Sequence, residues 1–144
     1  MNEVLFVIPA RSGSKGIVDK NIRKCGNETL LRRSVKICMD LNLGSNIYVS
    51  TDSKDYLAHI EDLIKNPPIL RPKYLSGDLV GDIEVLTHAL HTCENYYNTI
   101  YKCVVMIQPT CPLREKDHIT NTIDAVIKEK YDSAITCQKV DKKY

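Results

Sequence analysis

The 144-residue sequence lacks the patterns that most directly assign a protein to a class. None of its six cysteines forms a CxxC pair, and it contains neither a GxxxxGK[ST] loop nor a GxGxxG fingerprint. A P-loop is therefore excluded, and a dinucleotide-binding Rossmann domain is disfavoured. The N-terminal apolar run VLFVIPA is too short for a signal peptide or a membrane span. These absences predict a cytoplasmic protein with no membrane partner, whose cysteines are buried, reduced thiols.

An excess of charge of one sign is also missing. The formal net charge is +2, which is too small to predict a nucleic-acid partner. Residues 1–40 nevertheless hold eight Lys or Arg against four acids, and residues 50–95 reverse that ratio. A locally basic N-terminal region favours a small anionic ligand. With 43% apolar and 26% charged residues the composition is ordinary, and we predict one domain over residues 1–144.

Apolar runs and helical stripes alternate along the chain. Apolar runs predict buried strands at 4–10 and 102–108, and the segments NIYVST at 46–51 and DSAITCQ at 132–138 are further strand candidates. Helical spacing predicts helices at 28–41, 53–64, 82–96 and around 119–127, and three prolines predict a mostly irregular stretch at 66–80 with a short extended piece at 69–70. This alternation predicts an α/β fold with a mainly parallel sheet flanked by helices. In such folds ligands bind beyond the carboxyl ends of the strands, where the loop after the first strand, the turn after YVST and the segment QPTCPLR would converge.

The stretch VIPARSGSKGIVDKN, residues 7–21, follows the first predicted strand with several cations and two glycines. Gly13 and Gly16 allow the backbone to approach a ligand and to adopt positive φ. Arg11, Lys15 and Lys20 supply positive charge, and an arginine can bind two oxygens at once. The pattern favours a phosphate site. The alternative, an exposed loop whose lysines are only solvated, stays open on composition alone.

Other polar residues have two interpretations each. Asp78 and Asp82 are either acids that complement a helix dipole, which we favour, or metal ligands. Asp52 either caps a helix or orients a lysine of the first loop. For His88 and His91, which lie on a predicted helix, ordinary packing or exposure is favoured over catalysis. No Ser–His–Asp or Cys–His–Asn arrangement is evident.

Three ordered motifs resemble one known family. IPARSGSKGIVDKN at residues 8–21 is similar to the N-terminal motif of the CMP-N-acetylneuraminic acid synthetases, the acylneuraminate cytidylyltransferases. RPKYLSGD at 71–78, followed by VLTHAL at 85–90, resembles that family's RPxxLAxD segment and the helix after it. QPTCPLR at 108–114 resembles its QPTSPLR segment, and YDSAITCQKV at 131–140 resembles the strand that follows. The resemblance implies a Rossmann-like nucleotidyltransferase fold.

The resemblance also implies roles for individual residues. Catalytic contacts to the phosphates of CTP would come from Arg11 and Lys20. The nucleotide would further contact a larger set, namely Ser12, Gly13, Ser14, Lys15 and Gly16 around the phosphates, Asn21 at the nucleoside, and Arg71 with the backbone near Ser76 and Gly77 at the cytosine edge. Gln108 would face the acidic sugar. Arg114 would either touch the sugar carboxylate or hold its own loop, and we favour the second.

The implied reaction transfers CMP from CTP to the anomeric hydroxyl of a nonulosonic, sialic-type acid and releases pyrophosphate with the help of Mg²⁺, whose ligands stay unassigned. N-acetylneuraminate, legionaminate and pseudaminate enzymes share these motifs, so the sequence does not name the sugar. A related enzyme for 3-deoxy-octulosonate is disfavoured by QPTCPLR. The alternative from another class is a nucleotide-binding module without catalysis of its own.

The chain departs from the family in three respects. Family members form homodimers and usually continue well beyond residue 138, and that continuation carries the dimer-forming arm, much of the sugar pocket and the Mg²⁺-binding aspartates. We therefore expect a truncated domain without the dimer arm. Val18 stands where the family usually has proline, and the neighbouring Asp19 is expected to point to solvent. Cys111 replaces a serine, which puts any hydroxyl role there in doubt.

Overall fold

The computed structural model describes residues 3–139. Its strands are β1 (Val4–Pro9), β2 (Lys24–Cys25), β3 (Glu28–Thr29), β4 (Asn46–Ser50) and β5 (Cys103–Met106). Its α-helices are α1 (Leu30–Asp40), α2 (Lys54–Ala58), α3 (Asp82–Tyr97) and α4 (Lys116–Ile127), and single 3-10 turns lie at Lys20–Ile22 and Lys73–Leu75. The first three predicted strands and the α3 helix are confirmed.

Three of the strands form a parallel sheet in the order β4-β1-β5. Phe6 of β1 pairs with Ile47 on one side and with Val105 on the other. Residues 4–8 of β1 are at most 5% exposed, because the central strand is covered on both faces. This explains its uninterrupted apolar sequence and confirms the predicted α/β fold with a parallel sheet.

Two helices, α1 and α3, pack against the central strand β1 of the sheet. Leu5 and Val7 of β1 share a buried cluster with Ala89 and Cys93 of α3. Helix α1 also packs against β1, and Thr29 caps it by accepting a hydrogen bond from the Arg32 N–H at 3.2 Å. The chain crosses from β4 over to β5 on the other side of β1, which makes the carboxyl end of β1 a point where the strand order reverses.

The chain divides into two compact units, Met1–Leu113 and Arg114–Tyr144. The first contains the sheet with α1, α2 and α3, and the second contains α4. None of the helices in the described part of the chain is both long and apolar enough to cross a membrane.

The predicted helix at 53–64 is wrong in its length, because α2 ends at Ala58. Beyond that point the chain continues as turns, in which the Ile60 N–H donates to the Leu57 carbonyl and the Leu63 N–H to the Ile60 carbonyl. Arg32 Nη1 donates a hydrogen bond to the His59 carbonyl at 2.7 Å, so a side chain distant in the sequence satisfies this backbone acceptor. Residues 69–70 likewise form no strand.

The predicted strand at 132–138 is also wrong. The second unit contains no strand within its described residues, so this segment has no ladder partner there. Ile135 is 84% exposed, and residues 134–137 border a hollow of about 350 Å³ next to α4. A segment with strand-forming residues can become a strand only where it finds an edge to pair with.

All six cysteines are free thiols, as predicted. Cys38, Cys93 and Cys103 are buried, and burial raises the pKa of the Cys93 thiol to about 12. The prediction that the thiols are buried is wrong for Cys111 and Cys137, which are exposed.

Candidate active site

A cleft of about 390 Å³ opens at the carboxyl end of the parallel sheet. Three segments line it: the loop after β1, the stretch from Arg71 to Val85, and residues 108–110 after β5. Of the three segments expected to converge here, the first and the last therefore do so. The turn after β4 contributes through Asp52, which holds the loop after β1 without lining the cleft.

The cleft brings together nine of the twelve residues that the motifs singled out. They are Arg11, Ser14, Lys15, Gly16, Lys20, Asn21, Arg71, Gly77 and Gln108. Ser12, Gly13 and Ser76 lie beside the cleft without lining it. Their predicted contacts to a ligand remain predictions.

Ser12 is turned away from the cleft by Asp52. The Ser12 N–H donates to Asp52 Oδ1 at 2.8 Å, and its hydroxyl donates to Oδ2 at 2.9 Å. Partial burial by itself raises the pKa of Asp52, but the two bonds from Ser12 and the charge of Arg71 outweigh burial and lower it. Both earlier interpretations of Asp52 are wrong, because Ser53 caps α2 and the partner of Asp52 is a serine rather than a lysine.

The two glycines of the loop differ. Gly13 has φ +71°, in the left-handed region that favours glycine, and a Cβ there would meet no atom within 4 Å. Gly13 is therefore required by its backbone angle and not by lack of space. Gly16 has ordinary backbone and open space around it, so its predicted positive φ is wrong.

Arg71 is a buried cation at the back of the cleft, with only 5% of its surface exposed. Its Nε donates to the Ser50 hydroxyl at 3.0 Å and its Nη2 donates to the Ser50 carbonyl at 2.6 Å. The Arg71 N–H also donates to the Thr51 carbonyl at 2.7 Å. Burial lowers the pKa of Arg71, and the Asp52 charge offsets part of that effect. The end of β4 thus fixes this guanidinium from two sides.

Arg11 and Lys15 share one carboxylate, that of Asp78. Arg11 Nη2 lies 2.7 Å from Asp78 Oδ1, and the Lys15 ammonium pairs with Oδ2. The bonds from Lys15 and then from Arg11 lower the pKa of Asp78. The interpretation of Asp78 as a helix acid is wrong, because α3 begins only at Asp82. Asp82 does lie in the first turn of α3, where an acid complements the dipole.

Asn21 is buried and supports the backbone of the same loop. Its Nδ2 donates to the Arg11 carbonyl at 3.2 Å, from the 3-10 turn at Lys20–Ile22. Asp19 is exposed and does not line the cleft, in line with the expectation that it points outward. It also accepts a bond from the Tyr56 hydroxyl at 3.1 Å, which the sequence did not indicate.

The histidines of α3 and Cys111 do not line the cleft. His91 is exposed, and His88 is half-buried. Burial, followed by the charge of Arg71, lowers the pKa of His88. The Cys111 N–H donates to the Gln108 carbonyl at 3.2 Å while its side chain is exposed, so the exchange of serine for cysteine lies outside the cleft lining.

Sequence reasoning missed Thr110, which follows Gln108 on the wall formed after β5, and it named Asp78 and Asp82 without their place in the cleft lining. The signal for Asp78 was present, since it closes the RPKYLSGD motif. Nothing in the local sequence indicates that its partners are Arg11 and Lys15.

Fold and cleft together define an α/β protein with a ligand cleft, rich in Lys and Arg, at the carboxyl edge of a parallel sheet. A family model described as cytidylyltransferase matches residues 5–144. The chain therefore belongs to the cytidylyltransferase family, which confirms the resemblance carried by the three motifs.

Two relatives show how far the similarity extends. An N-acylneuraminate cytidylyltransferase of Escherichia coli O18:K1:H7 is 30% identical over 141 residues, which is 97% of this chain and 32% of that protein. A CMP-N,N'-diacetyllegionaminic acid synthase of Campylobacter jejuni is 28% identical over 112 residues, or 78% of this chain and 48% of that protein. The chain thus spans about half or less of the length of these curated relatives.

A solved structure confirms the fold. The structure of CMP:2-keto-3-deoxy-manno-octonic acid synthetase complexed with CTP matches with a TM-score of 0.72 at 13% identity, over 90% of this chain and 49% of that one. The predicted nucleotidyltransferase fold is therefore correct.

Proposed function

We propose that this chain is the CTP-binding part of a cytidylyltransferase that transfers CMP to the anomeric hydroxyl of a nonulosonic, sialic-type acid and releases pyrophosphate. The observation that supports this most is the convergence of Arg11, Lys15, Lys20 and Arg71 on one cleft in a chain of this family. The relatives that act on N-acylneuraminate or make CMP-N,N'-diacetyllegionaminic acid suggest the class of sugar. We extend the proposal to a cytoplasmic location.

The cations have a direct role in this reaction. The sugar hydroxyl oxygen bonds to the α-phosphorus of CTP, and the bond from that phosphorus to the oxygen of the leaving pyrophosphate breaks. Negative charge grows on the pyrophosphate as it leaves, and fixed positive groups stabilise it more in the transition state than in the ground state. Arg11, Lys15 and Lys20 would supply that charge from the loop after β1.

Arg71 would read the base rather than the phosphates. Two of its three guanidinium nitrogens bind Ser50, and within residues 3–139 the third, Nη1, makes no hydrogen bond. A donor on a guanidinium that is held in one orientation suits recognition of a carbonyl oxygen such as that of cytosine. Gly77 lines the cleft in the same segment as Arg71, with Ser76 next to it in the chain, and Gln108 of the segment after β5 would face the sugar.

Mg²⁺ fits this cleft as an ion that arrives with the nucleotide. Among residues 3–139 no group of three or more His, Cys, Asp or Glu could hold a metal by itself. Mg²⁺ commonly takes only one or two carboxylates together with phosphate oxygens. Of the acids that line the cleft, Asp78 is bound by two cations and Asp82 lies in the first turn of α3, so the metal ligands within this chain stay unassigned. When bound, Mg²⁺ would neutralise charge on the phosphates.

The experiment is a calorimetric titration with CTP, with and without Mg²⁺, paired with a pyrophosphate-release assay. The sugars are N-acetylneuraminate, legionaminate and pseudaminate, and UTP serves as the matched control for base reading. We expect CTP to bind more tightly than UTP and one sugar to give pyrophosphate release. If neither CTP nor CDP binds, the assignment of the phosphate loop is wrong.

The second candidate is a nucleotide-binding module without turnover. The observation that favours it is that the chain spans only 32% and 48% of the two relatives. Binding of CTP with no pyrophosphate release for any of the three acids would support this candidate.

A further inference from the structure

Asp78 places a negative charge where the cleft would receive a phosphate. Its Oδ1 lies 2.7 Å from Arg11 Nη2, its Oδ2 pairs with Lys15, and all three residues line the cleft. Arg11 Nη1 additionally donates to the Ser76 carbonyl at 3.4 Å. Two of the cations expected to bind phosphate are therefore occupied by an acid of the chain itself.

A carboxylate and a phosphate compete for the same donors. Both present pairs of anionic oxygens, and both accept charge-assisted hydrogen bonds from guanidinium and ammonium groups. Asp78 belongs to the RPKYLSGD segment, whereas Arg11 and Lys15 belong to the loop after β1, 67 residues away in the sequence for Arg11. The contact thus joins the two sides of the cleft across the space that a ligand would enter.

We propose that Asp78 is an internal anion that a ligand phosphate must displace from Arg11 and Lys15, and that it thereby sets the affinity of the cleft for phosphate ligands. This inference rests on the proposed function, because it takes the ligand to be a nucleoside triphosphate or pyrophosphate. The side chains of Asp78 and Lys15 are 37% and 83% exposed, so their ion pair is weakened by solvent. A polyphosphate carries several negative charges and can replace such a pair.

The proposed displacement of Asp78 by a ligand phosphate distinguishes Asp78 from Asp82, the other acid in the cleft. Asp82 begins α3 and takes part in no ion pair of residues 3–139, so its removal lowers the negative charge of the cleft without releasing a cation. Removal of the Asp78 charge does both. Asp82→Asn is therefore a matched control for Asp78→Asn, with the same change of charge and almost the same change of shape.

The test measures binding of inorganic pyrophosphate and of CTP by calorimetry, with EDTA present so that no metal contributes. We expect Asp78→Asn to bind both ligands about threefold to tenfold more tightly than the unmodified chain, because an exposed competing pair is lost. Asp82→Asn should improve binding by less than about twofold. Equal or weaker binding by Asp78→Asn than by the unmodified chain overturns the proposal, since Asp78 would then orient the cations or be inert.

A double-mutant cycle separates displacement from a general effect of charge. In a Lys15→Ala background one of the two displaced cations is absent, so the gain from Asp78→Asn should shrink to about half on a logarithmic scale. If Asp78→Asn raised the affinity by the same factor in the Lys15→Ala background, only the overall charge would matter, and the proposed displacement of Asp78 would be wrong. Asp78→Ser provides a second variant if the asparagine variant does not fold.

The outcomes distinguish this inference from the proposed function. If the unmodified chain binds pyrophosphate and CTP tightly and Asp78→Asn does not bind them more tightly, the proposed displacement is wrong and the proposed function is unaffected. If neither CTP nor pyrophosphate binds to the unmodified chain or to either variant, the proposed function is wrong, and so is the proposed displacement.

Discussion

Arg71 and Arg11 reach the same cleft from two segments that hold them in different ways. Arg71 is buried and bound by the neutral hydroxyl and carbonyl of Ser50. Arg11 is half-exposed and bound by the carboxylate of Asp78. The first guanidinium is fixed before a ligand arrives, which suits the recognition of a base carbonyl that we propose for it. The second is held by a charge that a ligand charge can replace, as is required for binding phosphate.

The largest expected effect tests the fixed side of this comparison. Arg71→Ala removes two buried hydrogen bonds from a charged group, one to the Ser50 hydroxyl and one to the Ser50 carbonyl, which keeps its bond from the Ala10 N–H. The change should lower the free energy of unfolding by about 3 kcal/mol. Arg11→Ala removes an exposed pair and should lower it by less than about 1 kcal/mol. Urea denaturation of both variants measures the difference. Equal losses of stability would show that burial does not distinguish the two arginines.

The second prediction concerns the two lysines of the loop after β1, which also carries Arg11. Lys20→Ala should weaken CTP binding by about 1.5 to 3 kcal/mol, the value of a charge-assisted contact. Lys15→Ala should weaken it less, because Lys15 must leave Asp78 before it binds a phosphate, whereas Lys20 forms no ion pair within residues 3–139. Calorimetric titration with CTP measures both. Equal affinities of the two variants would contradict this order.

The third prediction concerns the support of the loop by Asp52. Asp52→Ala should lower the free energy of unfolding by about 1 to 2 kcal/mol, because the Ser12 N–H and hydroxyl both lose their acceptor. Asp52→Asn keeps an acceptor and should lose less. Chemical denaturation at pH 7 compares the two, and an equal loss would assign the effect to charge rather than to the hydrogen bonds.

Asp52 also has a pH dependence with a defined sign. Its pKa is lower in the folded chain than its usual value, so its contribution to stability is complete above the unfolded pKa of about 4. The contribution is lost as the pH falls through the lower, folded pKa. Stability of the unmodified chain should therefore fall more steeply below about pH 4 than that of Asp52→Asn. Parallel curves for the two proteins in that range would contradict the assignment.

The smallest expected effect lies at the outer end of the loop. Tyr56→Phe removes the hydroxyl that donates to Asp19 and should lower stability by about 0.5 to 1 kcal/mol. Burial and the bond to Asp19 raise the pKa of Tyr56 to about 12, so the hydroxyl keeps its proton at neutral pH. Thermal unfolding measures the change. CTP affinity should stay the same, and a clear loss of affinity would place this contact within the binding machinery.

Local sequence predicted the elements whose burial pattern is continuous. The run VLFVIPA became β1 because a central parallel strand is covered on both faces, and the stripe from residue 82 to 96 became α3. The same reasoning failed at 132–138, where the second unit has no described strand that could pair with the segment. It also failed at the end of α2, where Arg32 of α1 donates a hydrogen bond to the His59 carbonyl.

The sequence by itself determined that a cationic loop follows a buried strand, and that three ordered motifs belong to one family. These properties are local, since periodicity, glycine positions and motif order are read along the chain. Only the tertiary structure decided which acid neutralises which cation. Ser12 and Asp52 are 40 residues apart, and they meet because β1 and β4 pair in register at Pro9 and Ser50. Arg11 and Asp78 are 67 residues apart, and an ion pair forms only where two charges lie within about 4 Å of each other.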